Sequence, residues 1–488
     1  MASKTYPKKL SKVDRLINFL EKDRLNFTGI FIYVIIIGAL RRFFEEFFVY
    51  QNITWEIGGY ANHIFFFLFM FLGGTLLISY VTKAKIKRTS NLVVFGFWIV
   101  LLAPVFDAFI FHIPAAYQYL LPGQLFLALA TLSISAGISS GVIICNAIMF
   151  FSVLFYCFKK TGSVKRMIYI AILMYLFYMI AGGQPYMSIF LAYKIMLISG
   201  LNSFLPSLII ALLMIYRENA KLAKNIIKSV FGLRTLYFLF FVLAGVVISQ
   251  SFVNIIISLT PLLLKLLVMI FLWQFNLGIN HIYDVKIDSR SRKTSNPLVL
   301  GFITKNRFLD LVAIYAITAL FLSLLVNQEV FLFSLAFVLA SIIYSLPPIR
   351  LRNTIFGTAF IGIGSILAFL IGFESISISQ EIAIILIVIF FGTSLGTTIK
   401  DLKDYESEKG LTKNVFTVYG RDKGKKITST LLFLSFLSPI LLFNNLIDIV
   451  FFIVFALLSV IIFQKKEDYR LVMVLFFIVF IYSIFRIT

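Results

Sequence analysis

Acidic residues are scarce in this chain of 488 residues. Only 22 Asp and Glu stand against 44 Lys and Arg, for a formal charge of +22. In a soluble protein that excess points to nucleic acid. The chain, however, lacks the polar surface of a soluble protein. It is 60% hydrophobic, with a mean hydropathy of +0.98. Apolar runs of about 20 residues, the length that crosses a bilayer, recur along nearly all of it. No nucleic-acid partner is expected, and the Lys and Arg residues read as markers of cytoplasmic loops. The short alternating segments of a membrane β-barrel are also missing. Cysteine is nearly absent. Cys145 and Cys157 share one apolar stretch, show no CxxC metal spacing, and read as buried structural thiols. The basic N-terminus is not followed by a clear small-residue cleavage site, so no removable signal peptide is expected. No convincing internal repeat relates the halves.

What is present is an all-α, polytopic transmembrane pattern. The longest polar connector in the middle of the chain, "RENAKLAKNIIKSVFGLR" at residues 217–234, places a boundary near residue 225. Residues 1–224 then form an N-terminal multi-helix membrane domain, and 225–488 a second domain. The second reads as nine helices near 234–250, 253–283, 308–326, 329–346, 355–373, 381–400, 426–443, 446–464 and 469–486. Every second loop of that domain is basic: Lys286 to Arg307, then Arg350 and Arg352, then Lys400 to Lys426, then Lys465 to Arg470. The alternate loops carry no Lys or Arg. That asymmetry puts the charged loops in the cytoplasm of a multi-pass protein of the cell (plasma) membrane. The first half predicts about six further spans, near 27–49, 63–82, 91–112, 139–158, 166–183 and 201–216. Two more apolar pieces, near 119–136 and 185–199, read as short or re-entrant.

Against this background two acidic stretches stand out. "NHIYDVKID" (280–288) places Asn280, Asp284 and Asp288 at four-residue intervals after an apolar run. "KDLKDYESEKG" (400–410) places Asp401, Asp404 and Glu408 three and four apart after another. Such spacings put each set on one helical face. Like charges there repel unless a cation sits between them. Magnesium, a hard cation that takes carboxylates plus substrate phosphates, suits the pattern. Either stretch alone is also what a solvated loop of mixed charge looks like. Together, on one side of the membrane and four helices apart, they point to two magnesium ions bridging a diphosphate. Metal ions make diphosphate a good leaving group. If the leaving group is allylic, the resulting carbocation needs a dry, aromatic-lined cavity, which 56 Phe and 22 Tyr readily build.

These residues resemble the UbiA-type superfamily of intramembrane prenyltransferases. The family's NxxxDxxxD motif after its second helix reads Asn280-HIY-Asp284-VKI-Asp288 here. Its NRPL-x-x-G continuation reads "SNPLVLG" at 295–301. Its DxxDxxxD motif after the sixth helix reads Asp401-LK-Asp404-YES-Glu408. A signature after the fourth helix reads "YSLPPIRLR" at 344–352. The resemblance covers about residues 225–488 and implies a nine-helix bundle. Three departures matter. Glu408 replaces the usual last Asp, Asn296 directly precedes Pro297 where an Arg is common, and Leu346 is an extra residue. Arg290, Arg292 or Lys293 are candidates to replace the missing Arg.

The resemblance implies roles as well. Asn280, Asp284 and Asp288 would hold one magnesium, and Asp401, Asp404 and Glu408 the other. Asp284 and Asp404, with Tyr405 as a pocket residue, would form the catalytic core. Lys293, Arg350, Lys400 and Lys403 are candidate diphosphate contacts, or simple cytoplasmic anchors. Tyr344 would line the pocket or cap a helix end. Asn276 would extend the polar stripe into the membrane, while Lys265, far from the acids, is expected to snorkel to the outer face. The substrates would be a prenyl diphosphate, its tail in an apolar tunnel open to lipid, and a lipophilic acceptor. That acceptor is an aromatic quinone precursor or a glycerophosphate lipid such as geranylgeranylglyceryl phosphate.

The N-terminal half has no counterpart in that architecture. Arg41 and Glu45, and Arg42 and Glu46, sit at i, i+4 and read as a self-neutralised helix end. Asp107, His112 and Lys194 are weaker candidates for a transport path. The rival reading of the whole is a non-catalytic lipid transporter or lipid-binding protein on a degenerate scaffold. Six oxygen-bearing side chains retained at the six metal-side positions favour the enzyme.

Overall fold

The computed structural model describes residues 11–22, 24–55, 57–112, 139–187, 195–249, 259–291 and 294–487. Every regular element among them is helical. The chain divides into two compact units, Met1–Ala223 and Lys224–Thr488. Among the described residues, eleven helices are long and apolar enough to cross a membrane, or twelve if the bent pair Ala220–Val230 and Leu233–Ser249 counts as one span. The protein is a multi-pass membrane protein.

In unit 1, α1 (Lys12–Leu20) is amphipathic, and Ser11 and Asp14 close a capping box at its start. α2 (Phe27–Phe44) starts at the Asn26 cap and runs into a π-helical turn, Glu45–Tyr50. α3 is Ile57–Thr82. The span expected near 91–112 begins earlier, as α4 (Ile86–Gly96), and is not one regular helix. It passes through a 3-10 segment, Phe97–Leu101, then α5 (Leu102–Phe106) and a second π-helical turn, Asp107–Phe111. Then come α6 (Ser140–Thr161), α7 (Val164–Met187) and α8 (Ile195–Glu218). The apolar piece near 119–136 lies outside the described residues, as does Lys194. The piece near 185–199 is in part the end of α7 and the start of α8. α9 (Ala220–Val230) carries the chain across the boundary between the units.

Unit 2 follows the expected spans closely: α10 (Leu233–Ser249), α11 (Leu259–Tyr283), the short α12 (Val285–Asp288), α13 (Lys305–Val326), α14 (Gln328–Ser345), α15 (Gly357–Phe373) and α16 (Gln380–Gly396). The short α17 (Lys400–Glu408) and α18 (Val415–Tyr419) precede α19 (Arg421–Leu437), α20 (Leu446–Lys466) and α21 (Tyr469–Ile487). Asn327, Ser379 and Asn445 cap the starts of α14, α16 and α20 with side-chain oxygens. These caps sit in the loops without Lys or Arg, so tight connections there need no charge.

α10 and α15 approach closely because glycine faces backbone. A Cβ added at Gly245 would strike the carbonyl oxygen of Phe369, and one at Gly372 that of Val242. Without a hydrophobic drive between helices in lipid, such close packing is a main source of cohesion. The end of α15 also corrects one expectation. Lys265 does not snorkel outward. It is 1% exposed, donates to the Gly372 carbonyl at 3.0 Å and pairs with Glu374. An ammonium with both a helix-end carbonyl and a carboxylate in reach has no need of the bilayer surface.

Both acidic stretches lie where a long span gives way to a short helix. α11 breaks at Asp284, whose backbone (φ −95°, ψ 6°) leaves the helical region before α12. α16 tightens into a 3-10 turn, Thr397–Ile399, before α17.

Candidate active site

Asp284 is 2% exposed. Two arginines from the loop after α14 reach it. Arg350 Nη2 donates to its Oδ1 at 2.7 Å and to the Tyr283 carbonyl at 3.0 Å. Arg352 pairs with its other oxygen. The second amino group of Arg352 lies 3.5 Å from Glu408 Oε1. One guanidinium thus joins the first acidic stretch to the second. Arg350 takes a left-handed backbone (φ 36°) to turn inward. Burial pulls its guanidinium below the usual arginine range, and its Nε is a buried donor without a hydrogen-bond partner.

The other residues of the first stretch have fixed partners. Asn280 Oδ1 accepts from Ser345 Oγ at 2.8 Å. Asp288 Oδ2 accepts from Asn296 Nδ2 at 2.7 Å, with His281 Nδ1 3.5 Å away. Asn296 is fully buried. It also donates to the His281 carbonyl at 2.8 Å and accepts from the Leu298 N–H. The residue noted only for lacking an Arg beside it is therefore what clasps Asp288.

In the second stretch Asp401 and Glu408 are 8% and 7% exposed. Glu408 Oε2 accepts from Asn414 Nδ2 at 2.7 Å and Thr412 Oγ1 at 3.3 Å. A backbone bond from Lys413 to the Asn353 carbonyl, 2.9 Å, ties this loop to the arginine loop. Asp404 lies between Asp401 and Glu408 in α17, but its side chain falls outside the described residues. So do Arg292 and Lys293.

The remaining candidates are placed less centrally. Tyr344, 9% exposed, stacks on Phe360 with centroids 6.4 Å apart. Lys403 is exposed and directs its ammonium over the Tyr469 ring at 5.0 Å. Lys400 is half-buried. Tyr405 packs against the apolar cluster of Ile399, Phe416 and Leu432. Arg352, Asn296, Thr412 and Asn414 were not singled out from the sequence as site residues. Only Arg352 carried a signal, its place two residues after Arg350.

Among the described residues no three His, Cys, Asp or Glu side chains already surround a common point. Asp284 and Glu408 share the Arg352 guanidinium as a common partner.

A family model described as the UbiA prenyltransferase family matches residues 238–481. The chain belongs to that family. It is a membrane-embedded UbiA prenyltransferase, and the matched segment runs from within α10 to within α21. Some solved structures are similar to about half of the chain. A UbiA homologue from Archaeoglobus fulgidus, bound to GPP and Mg2+, is 20% identical with a TM-score of 0.41; the match covers 52% of this chain and 96% of that one. The same homologue bound to DMAPP and Mg2+ gives the same figures. A structure concerning digeranylgeranylglyceryl phosphate synthase in membranes is 22% identical with a TM-score of 0.39, over 54% of this chain and 94% of that one. No curated protein matches the chain.

Proposed function

We propose that residues 225–488 are a magnesium-dependent prenyltransferase domain. It moves a prenyl group from an allylic prenyl diphosphate to a lipophilic acceptor and releases diphosphate. One observation carries the reading: Arg352 bridges Asp284 and Glu408, with Arg350 beside it offering an unpaired buried Nε. One acid of each motif and two guanidinium groups then meet at a membrane edge.

Magnesium, held by Asn280, Asp284 and Asp288 on one side and Asp401, Asp404 and Glu408 on the other, would neutralise the diphosphate as it leaves. The chain's own residues do the rest. Arg350 and Arg352 would exchange carboxylate for phosphate oxygens, a planar bidentate contact suited to guanidinium. Lys293, Lys400 and Lys403 would contribute positive charge. Asn296, Thr412 and Asn414 hold the acids in place. The allylic C–O bond breaks with its electron pair on the diphosphate. The acceptor's carbon or hydroxyl oxygen then attacks the cation and loses a proton. Water must be kept away from that cation. In this reading the tail lies among the apolar and aromatic side chains of the spans. Tyr344 belongs to the pocket's rim in this reading, and Tyr405 to its packing. The acidic motifs face the cytoplasm of the cell membrane, as the basic loops around them indicate.

Purified protein in nanodiscs, supplied with radiolabelled geranylgeranyl diphosphate and magnesium, tests this. The acceptor panel holds geranylgeranylglyceryl phosphate, 4-hydroxybenzoate, dihydroxynaphthoate and homogentisate. A magnesium-dependent product absent from Asp284→Ala and Asp404→Ala is expected and names the acceptor. Failure to bind the diphosphate at all would sink the proposal.

A further inference from the structure

The polar groups of unit 1 form a second charged site, independent of prenyl transfer. Both π-helical turns open on a carboxylate, Glu45 and Asp107. Such turns are rare and concentrate at functional sites. The groups lie within or at the ends of the spans Phe27–Phe48, Gly59–Thr82 and Ile86–Phe111, where ionisable side chains are costly and usually functional.

Two of the three carboxylates have structural duties. Glu46 pairs with Arg42 and accepts from the Thr54 N–H, the Thr54 hydroxyl and Tyr60 Oη, so it folds the loop after the first π turn. Asp107 accepts from Ser139 Oγ and, at 2.7 Å, from the Gly141 N–H, so it secures the start of α6. Glu45 differs. Its Oε1 is 2.9 Å from Arg41 Nε, and its Oε2 is 2.9 Å from His63 Nε2. His63 Nδ1 lies 3.0 Å from the Gly59 carbonyl oxygen.

Both ring nitrogens of His63 therefore face oxygens. A carbonyl never donates, and an ionised carboxylate does not either. Neutral imidazole carries one N–H. With Glu45 ionised, it would satisfy one contact and set two lone pairs against each other in the second. One further proton, on the ring or shared with Glu45, satisfies both. Among the described residues, Arg41 and Arg42 against Glu45, Glu46 and Asp107 leave one negative charge, which one proton would cancel. A net charge held away from water is disfavoured. The further titratable groups nearby among the described residues are Tyr60, bonded to Glu46, and Cys145 on α6 and Tyr178 on α7, both within electrostatic reach of Arg41.

We propose that unit 1 contains a proton-binding site formed by Glu45 and His63 and occupied at neutral pH, with the bound proton holding the first π turn against α3. Loss of that proton would place a lone pair against Glu45 or Gly59 and free the turn.

The chain has three histidines, so His112→Asn with His281→Asn leaves His63 as the sole reporter. Nitrogen-15 NMR of this histidine-labelled protein in nanodiscs at pH 7 reads the ring directly, and infrared spectroscopy reads the Glu45 carboxyl. The expected result is a ring with both nitrogens protonated, or one N–H together with a protonated or proton-sharing Glu45. Glu45→Gln, whose amide can itself donate to Nε2, should return the ring to a single N–H. A single N–H with one bare nitrogen and an ionised Glu45 in the unsubstituted site would overturn the proposal. That spectrum decides the matter even if Glu45→Gln fails to fold. Prenyl transfer is not read, so failure here leaves the reading of unit 2 untouched.

Discussion

The two units handle buried charge in opposite ways. In unit 2 the motif acids stand where long helices break, and Asp284 and Glu408 are reached by arginines from a separate loop. In unit 1 the acids sit in or beside their spans and are matched group by group, down to Glu46 with four contacts from three residues. A constellation built for a ligand keeps its counter-charges on loops. A constellation built to stay folded, or to keep one proton, places them a helical turn away.

The sharpest break of this comparison is to neutralise one acid in each unit. Asp284→Asn should lower prenyl transfer by about a thousandfold or more, since transition-state charge stabilisation of this kind carries several kcal/mol. Asp107→Asn should leave transfer within about twofold while lowering thermal stability. Equal losses of activity would erase the distinction. Next in size is Arg352→Ala, expected to cost about 10- to 100-fold in kcat/KM. Arg352→Lys should recover little, because a point charge cannot join two carboxylates or chelate a phosphate as a planar fork does. Asn296→Ala removes the clasp on Asp288 and should raise the magnesium needed for half-maximal rate by about fivefold, the worth of one hydrogen bond. A change in maximal rate alone would mean that Asn296 does not act through the metal motif. Gly372→Val should destabilise the bundle by about 1–3 kcal/mol through overpacking against α10, visible as a lower Tm with substrate affinity unchanged.

The smallest effect concerns Glu467, held between Lys425 at 2.7 Å and Arg421 at 2.8 Å. The hydrogen bond from Lys425, then that from Arg421, keeps its carboxyl below the usual glutamate range. A depressed carboxylate stabilises the fold above its unfolded pKa and loses that contribution as pH falls through the folded value. Glu467→Gln should therefore cost less than about 1 kcal/mol at pH 7. The difference from the parent should shrink as pH falls below the unfolded glutamate value of about 4.3, as followed by thermal melts.

Much of this was legible in the sequence where the signal is local. Apolar runs and basic loops locate the described spans of unit 2 to within a few residues, because span length and loop charge are set by the bilayer; the expected start of the second span, near 253, lies outside the described residues. The acidic spacings mark Asp284 and Glu408 because a helical face is a short-range pattern. What joins them is not local. Arg352 meets Asp284 across 68 positions of sequence. Asn296 gave no warning either, since a buried amide that clasps a carboxylate looks like any loop asparagine. Lys265 misled for the same reason. Its partner Glu374 lies beyond the end of another helix, and nothing near Lys265 in sequence points to it. In unit 1 the i, i+4 pairs Arg41 with Glu45 and Arg42 with Glu46 were readable, whereas His63 arrives from the next helix.

α9 lies wholly before the segment that matches the family. Yet Asn225 donates to the Ser295 carbonyl at 3.1 Å, next to the asparagine that clasps Asp288, and Ser229 Oγ donates to Gln274 Oε1 at 2.7 Å on the motif-bearing helix. The structural border of unit 2 therefore falls upstream of the matched segment. A chain trimmed to begin at residue 238 would keep every acid of the two motifs and still lose the brace beneath the first of them. Swapping this domain between relatives calls for a cut before residue 220, ahead of α9.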